Sequence, residues 1–333
     1  MRIAVIGTGA IGGTIAALLD RAGHEVEVTA RGAGLTAILG RGIRLDGAWG
    51  EHIASVAASQ RLTGAVELAF LCTKAQDAES AMIENRAALR GIPVVVVQNG
   101  LEGLEIASRV LPDSECVGAL ALYAAQYVDP GHVTVTAPGA TYLGAGAGEP
   151  GPAARLAAAT LNTAMPAVAT PNFIGCQWTK LVINMVNAIP AVTGLSVQQT
   201  IRDRTLGRIV TAAMRETVRV GFAVGIRYGS LQGLSQPALR AFAASPLWTG
   251  RLLPAMMARR MGARPNLGST LQSIRRGQPT EVDYLNGAVV SAAAAIGRSA
   301  PVNAALVAAV HEVESSGSFI RPGDLEAVVS RLI

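Results

Sequence analysis

The sequence predicts an α/β chain, with a doubly wound parallel sheet over residues 1–172 and an all-helical domain over residues 173–333. Three observations lead there. Strand-like and helix-like segments alternate through the first 150 residues, the pattern of a parallel sheet covered on both faces. After Pro171 the apolar residues recur at helical spacing over long stretches. A chain of 333 residues, half of them hydrophobic, also exceeds what one core usually serves.

Ile3-Ala4-Val5-Ile6 is a short apolar run that ends at a glycine, and residues 10–22 read as a helix with Ile11, Ile15, Leu18 and Leu19 on one side. Glu25-Val26-Glu27-Val28-Thr29 alternates like a strand. Leu68 to Leu71 and Pro93 to Val97 read as buried strands, with helices over about 77–90 and 101–110. Val133-Thr134-Val135-Thr136 and Thr141-Tyr142-Leu143 flank Pro138-Gly139, which predicts antiparallel strands extending the sheet. Gly144 to Gly151 reads as a linker and 152–164 as a further helix. In the second half, Leu206, Val210, Ala213, Thr217, Val220 and Val224 form one helical stripe, and 281–297 and 301–315 read as two more helices.

Composition narrows the function. Only 15% of residues are charged and 37 are glycine, without a repeat, which excludes a disordered chain, a coiled coil and a collagen-like rod. Cys72, Cys116 and Cys176 are too widely spaced for a disulfide framework or a zinc site. Met1-Arg2 opens directly into an apolar run too short for a signal core. The long uncharged stretch Leu181 to Ile201 is too polar to span a bilayer. The expectation is a cytoplasmic protein with no membrane partner. The formal charge of +5 is scattered and aromatics make up 4%, so no nucleic-acid footprint is present. A mild positive bias suits small anionic ligands. Exposed apolar surface on the helical domain could support a homodimer.

Gly7-Thr8-Gly9-Ala10-Ile11-Gly12 follows the first strand and opens the first helix. These glycines permit a tight turn and let backbone N–H groups approach a pyrophosphate at the positive helix end. A dinucleotide site is expected over Gly7, Thr8, Gly9, Ala10, Ile11 and Gly12. Sites for NAD place a carboxylate about 20 residues further on, at the end of the second strand. Here Val28-Thr29-Ala30-Arg31 places an arginine, which suits a 2′-phosphate. The predicted cofactor is therefore NADPH/NADP+ rather than NADH.

Of 28 basic residues only Lys74 and Lys180 are lysine. A chain so biased toward arginine retains lysine mainly where a compact ammonium that can give up a proton is needed. Lys74 and Asn99 each follow a predicted strand, where doubly wound sheets bind ligands. The ammonium can meet a cofactor phosphate or ribose. The amide can orient a nicotinamide or a substrate carboxylate, although Asn99-Gly100 alone also reads as a turn. Lys180, Asn184 and Asn187 fall on one side of a helix in an uncharged segment, a polar group beside a cleft. Thr280 could cap the helix that follows it, with Asp283 completing a capping box. Glu281, taken alone, reads as a first-turn acid favouring the helix dipole.

In this order the Gly-rich motif, the lysine and Gln98-Asn99-Gly100 after later strands, the Trp178-x-Lys180-Leu181-x-x-Asn184 block and Pro279-Thr280-Glu281-Val282-Asp283-Tyr284-Leu285-Asn286-Gly287 resemble the ketopantoate reductase (2-dehydropantoate 2-reductase) family. The resemblance runs from residue 1 to about 315. It implies a Rossmann-type domain, a helical substrate domain, and NADPH-dependent reduction of a small anionic, branched 2-keto acid. It also implies roles: Lys180 as catalytic lysine, Glu281 binding the substrate hydroxyl, Asn99, Asn184 and Ser269 lining the substrate, and Lys74 on the cofactor side; Asn187 is expected to line the substrate from its place on the lysine's side of the helix alone. Asn99 and Glu281 are expected to touch the cofactor as well. Two departures bear on the substrate. Ala188 stands where the commoner family block has a second asparagine, and Ser273 where an acidic residue often follows Gln272. The alternatives are a paralogous reductase of a different 2-keto acid or of a carbonyl or imine substrate, and, in another class, a non-catalytic NADP(H)-binding sensor.

Overall fold

The computed structural model describes residues 1–261 and 265–333. The chain divides into two compact units, Met1–Phe173 and Ile174–Ile333.

The first unit holds twelve strands: β1 (Arg2–Ile6), β2 (Glu25–Thr29), β3 (Ile43–Gly47), β4 (His52–Ala54), β5 (Ala57–Ser59), β6 (Leu68–Leu71), β7 (Val94–Val97), β8 (Cys116–Ala121), β9 (Ala124–Asp129), β10 (His132–Ala137), β11 (Thr141–Gly144) and β12 (Ala167–Ala169). Eight form one sheet in the order β12-β11-β8-β7-β6-β1-β2-β5. Every neighbouring pair in it is parallel except β8 with β11. Successive residues of the central strands feed opposite layers. Ile3 and Val5 pack with Ile15, Leu18 and Leu19 of the helix Ala10–Arg21 on one face. Ala4 and Ile6 pack with Ala78, Met82 and Leu89 on the other. Burial on both faces is why these strands read as continuous apolar runs. Ile6 pairs with Leu71 and Leu71 with Val96, so the carboxyl ends of β1, β6 and β7 are level. β2 flanks β1 on the opposite side from β6, which makes β1 the point where the strand order reverses.

A second sheet, β4-β3-β10-β9, lies on the far side of the helix Ala10–Arg21. It corrects one expectation. Strands form on both sides of Pro138-Gly139, but they do not pair with each other. β10 pairs with β3 and β9, whereas β11 joins the main sheet beside β8. Gly139 is pressed against the Leu122 backbone, where a Cβ would come 2.4 Å from the Leu122 carbonyl oxygen. The chain crosses between sheets at that point instead of turning back on itself.

In the second unit the helix Arg204–Ala223 is capped by the Asp203 carboxylate, which accepts from the N–H groups of Thr205 and Leu206. Leu206, Val210, Ala213, Thr217 and Val220 of its expected stripe are buried. The helices Val282–Ala295 and Pro301–Ser316 pack together. They are joined through buried amides: Asn286 Nδ2 donates to Asn303 Oδ1 at 2.8 Å, and Asn303 Nδ2 donates to Glu216 Oε2 at 2.6 Å. Glu216 also accepts from the Val302 and Asn303 N–H groups, capping that helix from a neighbour, and burial raises its pKa. The expected capping box is absent. Thr280 Oγ1 accepts from the Val282 N–H, but the Thr280 N–H goes to Glu314, and Asp283 pairs with His311.

Candidate functional site

In the first unit the expected cofactor residues sit at the carboxyl ends of β1, β2, β6 and β7. Gly7 leaves β1 at φ +92°, and its N–H donates to Thr29. A Cβ on Gly12 would lie 1.9 Å from the Gly7 carbonyl oxygen and 2.8 Å from Cys72 Cβ, so helix and turn close tightly only without side chains. Gly9 is different: it is exposed, and nothing lies within 4 Å of its Cβ direction. Thr8 and Gly9 precede a helix, beginning at Ala10 and Ile11, that has no side-chain cap and no acidic residue in its first turn. Its first N–H groups are therefore available to an anion.

Lys74 ends the β6 connection and stands at the N-cap of the helix Ala75–Glu84. Asn99 follows β7, with Gly100 at φ +86° behind it. Gln98, which the sequence reading passed over, ties these two strand ends, since its Nε2 donates to the Thr73 carbonyl at 2.9 Å. Thr73 Oγ1, Gln76 Oε1 and Gln98 Oε1 are buried without hydrogen-bond partners. Three orphaned polar atoms beside an open glycine turn fit a polar ligand such as a dinucleotide. Arg31 stands at the end of β2, as expected, but its Nη2 already donates to Glu84 Oε2 at 2.6 Å.

In the second unit Lys180 lies on the helix Phe173–Asn184. This helix is apolar nearly all round: Cys176, Trp178, Thr179, Leu181 and Val182 are all buried. Thr179 anchors it by donating to the carbonyls of Gly175 and Gly229. Lys180 is itself only 9% exposed. Burial pushes its ammonium down from 10.5 to about 8, and the nearby Glu281 carboxylate pulls it partly back up. Glu281 is held at the N-cap of the helix Val282–Ala295. Asn184 is the last residue of the lysine helix, and its Nδ2 is buried without a partner.

The continuous helix assumed for Asn187 is not present. The backbone tightens after Asn184, with the Asn187 N–H reaching back to the Asn184 carbonyl at 2.9 Å, and a new helix begins at Ala188. The Asn187 amide instead meets Gly268. A Cβ on Gly268, whose φ is +70°, would come 2.7 Å from Asn187 Oδ1. Gly268 precedes the exposed Ser269, which opens the helix Ser269–Arg275. The fold thus brings Lys180 near Glu281, and Asn187 beside the segment carrying Ser269. Gly268 was not singled out from sequence, because the partner that makes it necessary is 81 positions away (268 minus 187). Among the described residues no His/Cys/Asp/Glu group could hold a metal ion, and no helix is long and apolar enough to cross a membrane.

Residues 3–148 match the family model for ketopantoate reductase PanE/ApbA, and residues 172–314 match its C-terminal model. The chain is similar to a 2-dehydropantoate 2-reductase of Archaeoglobus fulgidus, with 29% identity covering 94% of this chain and 98% of the relative. It is similar to another from Pyrococcus horikoshii at 28% identity, covering 95% and 99%. Among solved structures, a PanE/ApbA family ketopantoate reductase from Ralstonia eutropha superposes with TM-score 0.80 at 28% identity, over 95% of this chain and 99% of that one. A D-mandelate dehydrogenase solved with NADH and anilino(oxo)acetate shares the fold, with TM-score 0.82 at 20% identity over 95% and 99%.

Proposed function

The chain belongs to the ketopantoate reductase family, and on that premise we propose that it reduces the ketone of a branched 2-keto acid, 2-dehydropantoate or a close analogue, with NADPH as cofactor. The observation that carries this reading is Lys180, a buried ammonium with a pKa near 8 and a carboxylate close by. When bound, the reduced nicotinamide supplies the hydride. Lys180 meets the negative charge developing on the carbonyl oxygen and donates a proton to it, a contribution of about 10²–10⁴-fold for general acids of this kind. The unpartnered Asn184 Nδ2 supplies N–H donors for a substrate oxygen. Asn187 and Ser269 bind and orient the substrate, and Glu281 bonds its hydroxyl while holding Lys180 charged. On the other unit, Gly7, Thr8, Gly9, Ala10, Ile11 and Gly12 cradle the pyrophosphate, Lys74 and Asn99 meet the nicotinamide half, and Arg31 meets the adenosine ribose.

A second reading keeps the chemistry and changes the acid. Ala188 is buried where the commoner family block carries an asparagine, and the helix break before it turns Asn187 toward Gly268. Both features favour a 2-keto acid with a different polar pattern. Turnover of 2-dehydropantoate compared with a panel of 2-keto acids, each with NADPH and NADH, separates the readings. Preference for 2-dehydropantoate supports the first and preference for another acid the second. Tight cofactor binding without turnover of any acid would contradict both and leave a sensor.

A further inference from the structure

Arg31, the residue expected to receive a 2′-phosphate, is engaged by a glutamate. Its Nη2 lies 2.6 Å from Glu84 Oε2, with the arginine side chain 66% exposed and the glutamate 30%. Glu84 is not a loosely tethered surface acid. It ends the helix Ala75–Glu84, and the next residue pins that end. Asn85 Nδ2 donates to the Ala81 carbonyl at 2.8 Å, while its Oδ1 accepts from the Leu62 N–H at 2.7 Å. The helix also carries Asp77 and Glu79 and no basic residue, and Glu79 pairs with Arg109.

We propose that Glu84 is a specificity-determining counter-charge that weakens binding of 2′-phosphorylated dinucleotides relative to those with a free 2′-hydroxyl, so that the chain accepts both NADPH and NADH. This rests on the reading that the first unit binds a dinucleotide with Arg31 at the adenosine ribose. A 2′-phosphate arriving at Arg31 carries nearly two negative charges. It must displace the carboxylate, which breaks the Arg31–Glu84 ion pair, or share the guanidinium with it, which sets two anions within ion-pair range of one cation. A 2′-hydroxyl meets no such repulsion. It can donate to the carboxylate, the role an acidic residue at this end of the second strand plays in NAD sites.

A surface ion pair serving stability alone would contribute little and would not distinguish the two cofactors. Calorimetric titration of the full chain with NADP+ and NAD+, for wild type, Glu84→Gln and Arg31→Ala, reads the difference. Glu84→Gln is expected to tighten NADP+ by about ten-fold and leave NAD+ within about two-fold. Arg31→Ala is expected to weaken NADP+ selectively. An unchanged NADP+/NAD+ ratio in Glu84→Gln, with Arg31→Ala behaving as expected, overturns the counter-charge alone. NADP+ affinity unaffected by Arg31→Ala overturns the placement of Arg31 and the proposal with it. A wild-type chain that binds neither nucleotide overturns the dinucleotide reading altogether.

Discussion

Lys180 concentrates the chemistry at the scale of a single residue. Its ammonium holds its proton below about pH 8 and loses it above, whereas an exposed lysine would stay charged to 10.5. Turnover is therefore expected to fall as pH rises through about 8. A steady-state pH profile checks this, and a rate that stays level until the ordinary lysine value contradicts it. The same shift has a thermodynamic sign. Between about 8 and 10.5 the unfolded chain binds the proton that the folded chain has released, so this group makes stability rise with pH across that window. Below 8 the fold carries the full cost of burying the charge, at most about 3 kcal/mol at ~1.4 kcal/mol per pKa unit. Lys180→Met is accordingly expected to remove the rise in stability between pH 8 and 10.5 in chemical denaturation while lowering turnover by about 10²–10⁴-fold. The burial of Lys180 was legible beforehand, because no other charge stands in the segment around it. The surroundings of Asn187 were not. Spacing of seven implies one helix face only while the helix continues, and this one breaks at Asn184.

At the scale of the element, the Gly-rich turn makes a contrast that separates folding from binding. Gly12 has no room for a methyl group, whereas Gly9, at φ −70°, faces open space. Gly12→Ala is expected to lower stability by roughly 2 kcal/mol or more, as overpacking in a tight contact does. Gly9→Ala is expected to leave the melting temperature unchanged and weaken dinucleotide binding about ten-fold or more, since only a ligand would meet the new methyl group. Calorimetric unfolding and titration measure the two, and undiminished binding by Gly9→Ala would remove the turn from the cofactor site. β1, β6 and β7 were readable because each is a short apolar run, and β2 because its residues alternate. The second sheet was not. Of its strands β10 alone was read; they are half exposed, and β3 pairs with β10 at Arg44 and His132, a partnership no local pattern announces. Of the antiparallel strands expected to extend the sheet around Pro138-Gly139, β11 joins the main sheet and β10 the second, since turn chemistry marks a change of direction and not the strand that will be met afterwards.

For the whole molecule, folding and ligand binding are coupled by mass action. A dinucleotide present at a hundred times its dissociation constant stabilises the unit that binds it by about 2.7 kcal/mol. For a unit the size of Met1–Phe173 that corresponds to a rise of about 5–10 °C in its melting transition. Scanning calorimetry with and without NADPH checks this, and an unmoved transition contradicts cofactor binding.

The most direct test of the account is the turnover of Lys180→Ala on the acid that wild type prefers, with NADPH affinity measured on the same protein. A fall of about 10²–10⁴-fold in kcat with cofactor affinity unchanged is the predicted result. Turnover equal to wild type would show that the proton comes from elsewhere.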